Sequence, residues 1–206
     1  MSTIMRRAII PALVLPLLSA RSAISALSDA SQPLDIYELR TPPVSVAASR
    51  RPVELVVEEP VATGALAVER IMIQPSLLQA QYLPGVRWSD TAPVMIQTLL
   101  LRGLSETEAL TSVGRRPLGS VSDYSVLSDL TDFQAEIAEN GEGVLIRTRL
   151  VMRIVRESDT QVIANRTFEV LSNASTTEVD DITASFDSAA SELLSEAIEW
   201  ILVHAR

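Results

Sequence analysis

The stretch that decides the fold is GVLIRTRLVMRIVRESDTQVIANRTFEVL, residues 143–171. Its two halves each place apolar residues mainly at even positions and arginines or other polar residues mainly at odd positions. Because successive side chains of a β-strand point to opposite faces, this pattern predicts an antiparallel hairpin with one apolar and one polar face. The apolar set is Val144, Ile146, Leu150, Met152 and Ile154, followed by Val162, Ala164, Phe168 and Val170.

The register of this hairpin follows from the parity of its apolar residues. Because both apolar sets are even-numbered, residues that pair directly must have numbers that sum to an even value. We therefore predict a loop of three or five residues around positions 157–161, since a slip by one residue would turn one apolar set outward. On the outer face, Arg147 or Arg149 is expected to lie opposite Glu169.

A long helix is predicted to cover the apolar face of the hairpin. From residue 178 onward the apolar residues recur every three or four positions, which is the stripe of an amphipathic helix. The segment STTE at residues 175–178 has the sequence of a capping box, and Asp180 and Asp181 place negative charge at the positive end of the helix dipole. The stripe consists of Val179, Ile182, Phe186, Ala189, Ala190, Leu193, Ala197, Ile198 and Ile201.

Four further strands are predicted before the hairpin, at residues 36–39, 53–58, 68–73 and 124–137. In the last of these the apolar parity shifts between Val126 and Leu127, which indicates a β-bulge. The dipeptide Asn140-Gly141 is expected to turn that strand into the hairpin.

A second helix and a long loop complete the predicted elements. The helix begins with Thr91 as N-cap and Pro93 in its first turn, where the missing N–H of proline costs little. Residues 75–85 are predicted to form a loop. Its large apolar residues either pack on the body of the domain or form a contact surface; they are Leu77, Leu78, Tyr82 and Leu83.

These elements predict an α+β domain. We expect an antiparallel-rich sheet of about six strands with two main helices on one face. The order of three strands, a helix, three strands and a helix also allows two related β-β-β-α halves. The domain should span residues 35–204.

Composition excludes many functions. The formal net charge is −9, which argues against a nucleic-acid partner, because phosphate binding depends on cationic contacts. All 17 basic residues are arginine, there is no cysteine, and His204 is the one histidine. The chain therefore lacks a Schiff-base lysine, a thiol nucleophile, a Cys/His zinc cluster and a credible Ser-His-Asp triad. We predict no catalytic residues, no metal and no cofactor; among the 26 acidic residues nothing marks out a catalytic carboxylate pair.

The N-terminus has the pattern of an export signal. Arg6 and Arg7 precede an apolar run at residues 8–18, whose 11 residues are fewer than the roughly 20 that a helix needs to span a bilayer. The next residues are Leu-Ser-Ala and then Arg21, which stands where a lipoprotein signal has the cysteine that becomes acylated. We assign residues 1–20 to the export signal and residues 21–34 to a tether.

Several segments resemble one protein family. They are GALAVERI at 64–71, QYLPGVRWSD at 81–90, GRRPLG at 114–119, LTDFQAE at 130–136, ASFDSA at 184–189 and the pair Glu199-Trp200. In this order and spacing they are similar to the ABC-type transport auxiliary lipoprotein family, over most of residues 35–204.

The resemblance implies a non-enzymatic periplasmic subunit that works with an ABC transporter and its MCE-domain substrate-binding subunit. Such systems move phospholipids or sterol-like lipids between the inner and outer membranes. Family members are tethered through a lipidated cysteine, so Arg21 departs from the pattern. As written, the chain is expected to be soluble in the periplasm or weakly held at the inner membrane; with lipidation restored, Ser22 favours the outer membrane. A stand-alone lipid carrier with an apolar cavity between sheet and helices is the alternative, and the sequence leaves open a bound lipid and a homo-oligomer.

Candidate contact residues fall into two groups. Tyr82, Trp88 and Trp200 are candidate partner contacts, because aromatic anchors are typical of interfaces. Trp88 could instead fix the helix entry to the core, and a broad buried helix face could absorb Trp200. The second group could bind lipid head groups or an acidic partner, or simply form a solvated sheet face paired with Glu169; it consists of Arg147, Arg149 and Arg153.

Overall fold

Ten strands and two helices make up the residues that the computed structural model describes, 33–137 and 143–206. Their order is β1 (Asp35–Tyr37), β2 (Arg51–Val57), β3 (Val61–Ala62), β4 (Met72–Ser76), β5 (Gln79–Tyr82), β6 (Val86–Trp88), α1 (Ala92–Glu106), β7 (Leu110–Gly114), β8 (Tyr124–Ile137), β9 (Val144–Arg156), β10 (Gln161–Ala174) and α2 (Val179–His204).

The long strand β8 organises an eight-stranded mixed sheet with the order β10-β9-β8-β2-β7. On one side β8 pairs antiparallel with β9 along its whole length. On the other side it pairs in turn with three short parallel strands, at Val57↔Val126 in β2, Val61↔Asp129 in β3 and Ile73↔Ala135 in β4. These three strands therefore act as one interrupted strand along β8. The remaining pairs are β7 parallel to β2 and β5 antiparallel to β4.

The predicted α+β class and the two helices are confirmed, but the antiparallel-rich sheet of six strands is wrong. The sheet has eight strands and four parallel pairings, and β1 and β6 form a separate two-stranded parallel sheet. In the described residues β2, β3 and β4 do not pair with one another, so the first half of the chain does not repeat the β8-β9-β10-α2 unit. These strands have only 7, 2 and 5 residues, too few to reveal their partners by periodicity.

The hairpin of β9 and β10 has the predicted register but not the predicted loop. Leu150 lies opposite Phe168 and Arg149 opposite Glu169, so the paired numbers sum to an even value. The turn, however, leaves four residues between Arg156 and Gln161, and a bulge at residue 163 then supplies the one-residue shift. The prediction of an odd loop was wrong because a bulge can correct parity as well as a turn can.

Strand β8 has the predicted bounds, 124–137, and its bulge lies at Thr131, between Leu130 and Asp132. Before the bulge the even residues Val126 and Leu130 face the core, and after it the odd residue Phe133 does. The predicted position between Val126 and Leu127 was wrong because Leu127 is a half-buried residue of the outer face. The predicted turn at Asn140-Gly141 lies outside the described residues.

Two other strand predictions and the loop prediction need correction. The first strand is Asp35–Tyr37 rather than 36–39, and the strand predicted at 68–73 starts only at Met72. The predicted loop at 75–85 contains the β4–β5 hairpin, with residues 77–78 at its tip. Strand β7 was not anticipated. In each case the segment is short, and its pairing with a distant strand determines the backbone.

The helix starts differ in how they are capped. Thr91 is the N-cap of α1, with proline in its first turn, as predicted. The prediction of a capping box at α2 is wrong, because Glu178 is itself the N-cap and makes no side-chain capping bond. Instead the Thr176 hydroxyl accepts a hydrogen bond from the Glu178 N–H at 3.1 Å and donates one to the Asp181 carboxylate. Asp180 and Asp181 do lie in the first turn.

The core lies between the sheet and the helices. Helix α2 packs on β9 and β10, and α1 packs on β2, β7 and α2. The inward residues Ile146, Leu150, Met152 and Ile154 of β9 are completely buried, as is Phe186 of α2. Where the helices cross, Gly103 lets α1 approach α2, since a Cβ at this position would lie 2.4 Å from Ile198 Cδ1.

We expect Gly103→Val to destabilise the domain by about 1–3 kcal/mol, because a β-branched side chain would overpack the contact with Ile198. Gly103→Ala is the matched control, since Ile198 Cδ1 is the end of a flexible side chain and alanine gains about 1 kcal/mol of helix propensity. Urea unfolding measures both. Equal stability of the valine variant and the parent would contradict a close helix crossing at this residue.

Candidate functional site

The outer face of β8, β9 and β10 carries the predicted arginines, and acidic residues surround them. Arg147 donates from Nε to Glu136 Oε1 at 2.7 Å and from a terminal nitrogen to Glu169 Oε1, also at 2.7 Å. Hydrogen bonds to Glu136 and then Glu169 raise the pKa of Arg147 above its ordinary value, so this guanidinium stays charged at every accessible pH. Its donors are directed at protein carboxylates rather than at solvent.

The other two arginines differ in their environment. Arg153 forms an ion pair with Asp129 at 2.9 Å. Arg149 is exposed, lies opposite Asp132 on one side and Glu169 on the other, and has no ion-pair partner within residues 33–137 and 143–206. The face as a whole therefore has little spare positive charge. Arg149 is the arginine of this group whose guanidinium is available to an added ligand.

Two of the three candidate aromatic contacts lie in the core. Trp88 is only 1% exposed, and its ring centroid lies 5.3 Å from that of Phe186 and 5.9 Å from that of Phe133. Trp200 is 8% exposed and packs edge-on against Phe168 at 5.6 Å. Neither ring offers surface to a partner, because each fills space between a strand and α2. Both were proposed from residue type alone, without knowledge of what packs over them.

Tyr82 lies at the base of the β4–β5 hairpin and is partly exposed, at 37%. Its hydroxyl donates a hydrogen bond to the Ala65 carbonyl at 3.3 Å, and the Arg70 guanidinium lies 5.8 Å from the ring centroid. The ring thus has a fixed position with one face toward solvent. It remains a candidate partner contact.

Beyond Tyr82, the β4–β5 hairpin forms an apolar finger, which we define as residues 72–82. Leu77 and Leu78 form its tip, and both side chains are almost wholly exposed, at 90% and 101%. From residue 71 to residue 86 there is no charged side chain, the longest such stretch in the described part of the chain. Because residues 75–85 were predicted to form a loop, the projecting hairpin was not anticipated. The absence of charge was the signal that could have identified it.

A surface groove of about 710 Å³ runs between the apolar finger and the adjacent end of β8 and β9. Its apolar lining includes Leu77, Ile137 and Leu145, and polar side chains, among them Glu136 and Asn173, also line it. The volume falls in the range of pockets that hold small organic molecules or part of a lipid chain. Apolar surface therefore extends from the finger onto the body of the domain.

The N-terminal residues of the domain run along α2, and we call residues 35–43 the strap. The Tyr37 hydroxyl donates to Asp180 Oδ1 at 2.6 Å, which raises the pKa of Tyr37. Arg40 donates three hydrogen bonds to the Asp187 carboxylate, from its backbone N–H and from two guanidinium nitrogens. Farther along, the Ser195 hydroxyl donates to the Pro43 carbonyl at 3.2 Å. The strap therefore follows α2 in the same direction as the helix.

This path determines where the chain enters the domain. Helix α2 starts shortly after β10 ends beside the groove, and it ends near the start of β8, where the Tyr124 hydroxyl donates to the Arg206 carbonyl. The strap begins near the start of α2, with the Asp35 N–H bonded to the Gly85 carbonyl at 3.0 Å. The chain thus enters at the same end of the sheet as the apolar finger.

Neither a metal-binding cluster nor a membrane-spanning helix occurs among the described residues. Across residues 33–137 and 143–206, no three His, Cys, Asp or Glu side chains are grouped so that they could hold a metal ion. Neither described helix combines the length and hydropathy needed to cross a bilayer.

The comparison with protein families assigns the chain. The model for the ABC-type transport auxiliary lipoprotein component matches residues 37–198, which is most of the sequence. The chain belongs to this family. The resemblance inferred from the sequence segments is therefore confirmed.

Solved structures share the fold of this family member. A DUF330 protein from Xanthomonas campestris is 24% identical with a TM-score of 0.74, and the match covers 82% of this chain and 95% of the other. An uncharacterised protein is 18% identical with a TM-score of 0.61, covering 82% and 99%. A hypothetical protein from Chlamydia trachomatis is 9% identical with a TM-score of 0.51, covering 74% and 98%. Among curated proteins none matches.

We expect Asp187→Ala to loosen the strap from α2, because it removes the acceptor of three Arg40 hydrogen bonds, one of them from a backbone N–H. Hydrogen exchange at residues 39–41 and cleavage by a protease should both accelerate, and the melting temperature should fall. Asp187→Asn is the control, since its amide oxygen can still accept from the Arg40 N–H. If the alanine variant leaves exchange in the strap unchanged, the carboxylate does not hold this segment.

Proposed function

We propose that this protein is a non-enzymatic auxiliary subunit of an MCE-type ABC transporter that moves phospholipids or sterol-like lipids between the inner and outer membranes. The observation that carries the proposal is the family match over residues 37–198, which names an auxiliary component of an ABC-type transporter. The composition agrees with a role in assembly, since the chain has neither cysteine nor lysine and only one histidine. The proposed partners are the MCE-domain substrate-binding subunit and the transporter itself.

The exposed residues of the domain fit docking on a protein partner. Arg149 has a guanidinium without an ion-pair partner among the described residues, and Tyr82 presents a fixed aromatic ring. Arginine and tyrosine are enriched at the centres of protein interfaces. We therefore propose Arg149 as a contact with an acidic region of the partner subunit.

A stand-alone lipid carrier is the alternative, and the packing of the domain gives it less support. Its predicted cavity would lie between the sheet and α2, where Phe186, Leu194 and Ile146 are fully buried and in contact with the core. The groove of about 710 Å³ lies at the surface instead, beside the apolar finger. Native mass spectrometry of the purified protein distinguishes the two functions: a stoichiometric bound lipid would favour the carrier.

Co-purification from a detergent extract tests the proposed function. We expect the tagged protein to recover an MCE-domain subunit and the ABC transporter, and we expect Arg149→Glu to reduce that recovery several-fold by reversing the charge at the proposed contact. Arg116→Glu is the matched control, because Arg116 is also exposed and lies in a loop at the other end of β8. Recovery of neither subunit would contradict the proposal.

The location depends on Arg21, which lies outside the described residues. A lipoprotein family implies a membrane-tethered periplasmic protein, but acylation needs a cysteine sulfur, which a guanidinium cannot replace. We propose that the chain as written is soluble in the periplasm or weakly held at the inner membrane by its apolar run at 8–18. With a lipid attached, Ser22 would favour the outer membrane.

We expect Arg21→Cys to restore acylation and to move the protein into the membrane fraction, because residues 18–21 would then form a complete lipoprotein signal. Metabolic labelling with a radioactive fatty acid is the measurement, and Arg21→Ser is the control without a thiol. The melting temperature should not change, since the first strand begins only at Asp35. Label on the Arg21 chain, or none on the Cys variant, would show that this segment is not a lipoprotein signal.

A further inference from the structure

We propose that the apolar finger inserts Leu77 and Leu78 into the surface of the lipid bilayer to which the N-terminal segment holds the domain. This proposal rests on the proposed function only in so far as the protein works beside a membrane. The occupant is the bilayer itself, and neither the partner subunit nor a second copy of the chain is required.

The first support is the chemistry of the finger. Two leucines project into solvent at its tip, and no charged residue occurs from residue 71 to residue 86, although 21% of the whole chain is charged. A charged side chain near the tip would resist transfer into lipid, whereas leucine is among the residues that favour it. The β4–β5 ladder pairs Met72 with Tyr82, Ile73 with Gln81 and Ser76 with Gln79, with a register shift between Ile73 and Ser76. Because unpaired backbone groups are costly in lipid, insertion is confined to the tip at residues 77–78.

The second support is the base of the finger. Tyr82 stands there with a partly exposed ring, and the Arg70 guanidinium lies 5.8 Å from its centroid. Tyrosine is enriched at the boundary between lipid and water. Arg70 is half-buried and donates to the Leu83 carbonyl at 3.1 Å, so its guanidinium fixes the base of the finger. The finger thus has an apolar tip followed by an amphipathic base, in the order that a bilayer interface presents.

The third support is where the chain enters the domain. Asp35 bonds to Gly85, and Gly85 lies seven residues after Leu78, so the entry point and the tip are at most about 25 Å apart. The 32 residues that precede Pro33 include the apolar run at 8–18 and the acylation position 21. A membrane attachment of that N-terminal segment would therefore join the domain at the end of the sheet that carries the finger.

The tether makes a weak insertion effective. A single acyl chain gives only marginal membrane binding, with an association constant of about 10⁴ M⁻¹, so stable attachment takes a second signal. Holding the domain at the surface turns insertion of the finger into an intramolecular step with a high effective concentration. The finger supplies the second signal, and in the Arg21 chain, which lacks the acylated cysteine, its share of the attachment is larger.

The negative charge of the protein determines which kind of bilayer surface is the better probe. The net charge is −9, and Asp180 and Asp181 lie in the first turn of α2, where the strap begins. An anionic surface would repel this end of the domain at low ionic strength. The zwitterionic phosphatidylcholine bilayer is therefore the appropriate probe, and added salt should not weaken an insertion that depends on apolar contact.

The absence of cysteine from the chain allows a direct test. The full chain with Arg21→Cys is coupled through its one thiol to a maleimide lipid in phosphatidylcholine vesicles, and Leu78→Trp reports on the environment of the tip. We expect its emission to move to shorter wavelength and brominated lipids to quench it several-fold more than the matched control, Val121→Trp. Val121 is similarly exposed, at 67%, but lies near the start of β8.

A second variant measures the contribution of the finger to binding. Without maleimide coupling, Leu77→Ser/Leu78→Ser should reduce flotation of the full chain with the vesicles by about tenfold or more, and circular dichroism should show an unchanged fold. Raising the salt concentration should leave the flotation of the parent chain unchanged. Flotation that is equal in the parent and the double serine variant would overturn the proposal.

The outcomes also separate this proposal from the proposed function. If Leu78→Trp is quenched no more than Val121→Trp, the bilayer proposal is wrong even where the protein still recovers the MCE-domain subunit. If the emission of Leu78→Trp shifts only when that subunit is added and not with vesicles, the finger docks on protein, which also overturns the bilayer proposal. Vesicle quenching without recovery of any transporter subunit would overturn the proposed function alone.

Discussion

Three aromatic rings join distant parts of this domain. Trp88 is the last residue of β6, Phe133 lies just after the bulge in β8, and Phe186 lies in α2, with ring centroids 5.1–5.9 Å apart. Each ring is almost fully buried, and such aromatic pairs contribute about 0.5–1.5 kcal/mol beyond the burial of their area. The cluster depends on the bulge at Thr131, because without the extra residue Phe133 would face the solvent. The covering helix, the central strand and the two-stranded β1–β6 sheet are thus held by one contact.

The two faces of the sheet have different roles because they carry different kinds of side chain. The inner face excludes water under α2, whereas the outer face arranges arginines between carboxylates on neighbouring strands. Exposed ion pairs of this kind contribute little stability, but they satisfy the arginine donors and leave few of them for a phosphate group. This arrangement fits a surface that contacts a protein at selected points better than a surface that binds anions.

The strap joins the start of the domain to the covering helix. Its contacts with Asp180, Asp187 and Ser195 run along α2, so this segment is bonded at three points along the helix and not only through a terminal strand. The apolar finger and the groove beside it lie at the end of the sheet where the strap begins.

The sequence by itself determined the elements whose periodicity is long and local. The alternation in residues 143–171 determined the β9–β10 hairpin and its register, and the helical stripe determined α2, because each pattern repeats often enough to identify one buried face. The segments that resemble the family could likewise be read directly. Among the candidate site residues, the three arginines could be assigned to the outer face from the sequence. They alternate with the apolar residues of β9, and alternation along one strand is enough to decide which face a side chain is on.

Only the tertiary structure decided which elements meet. Strands β2, β3 and β4 are too short for periodicity to reveal that they follow β8 one after another in parallel. Trp88 and Trp200 were candidate contacts until distant elements were seen to cover them, while Leu77 and Leu78 are exposed because the β4–β5 pairing makes them a hairpin tip. Burial depends on the neighbours that a side chain finds across the fold. A sequence pattern reports the face of its own element, and it does not identify the partner that covers that face.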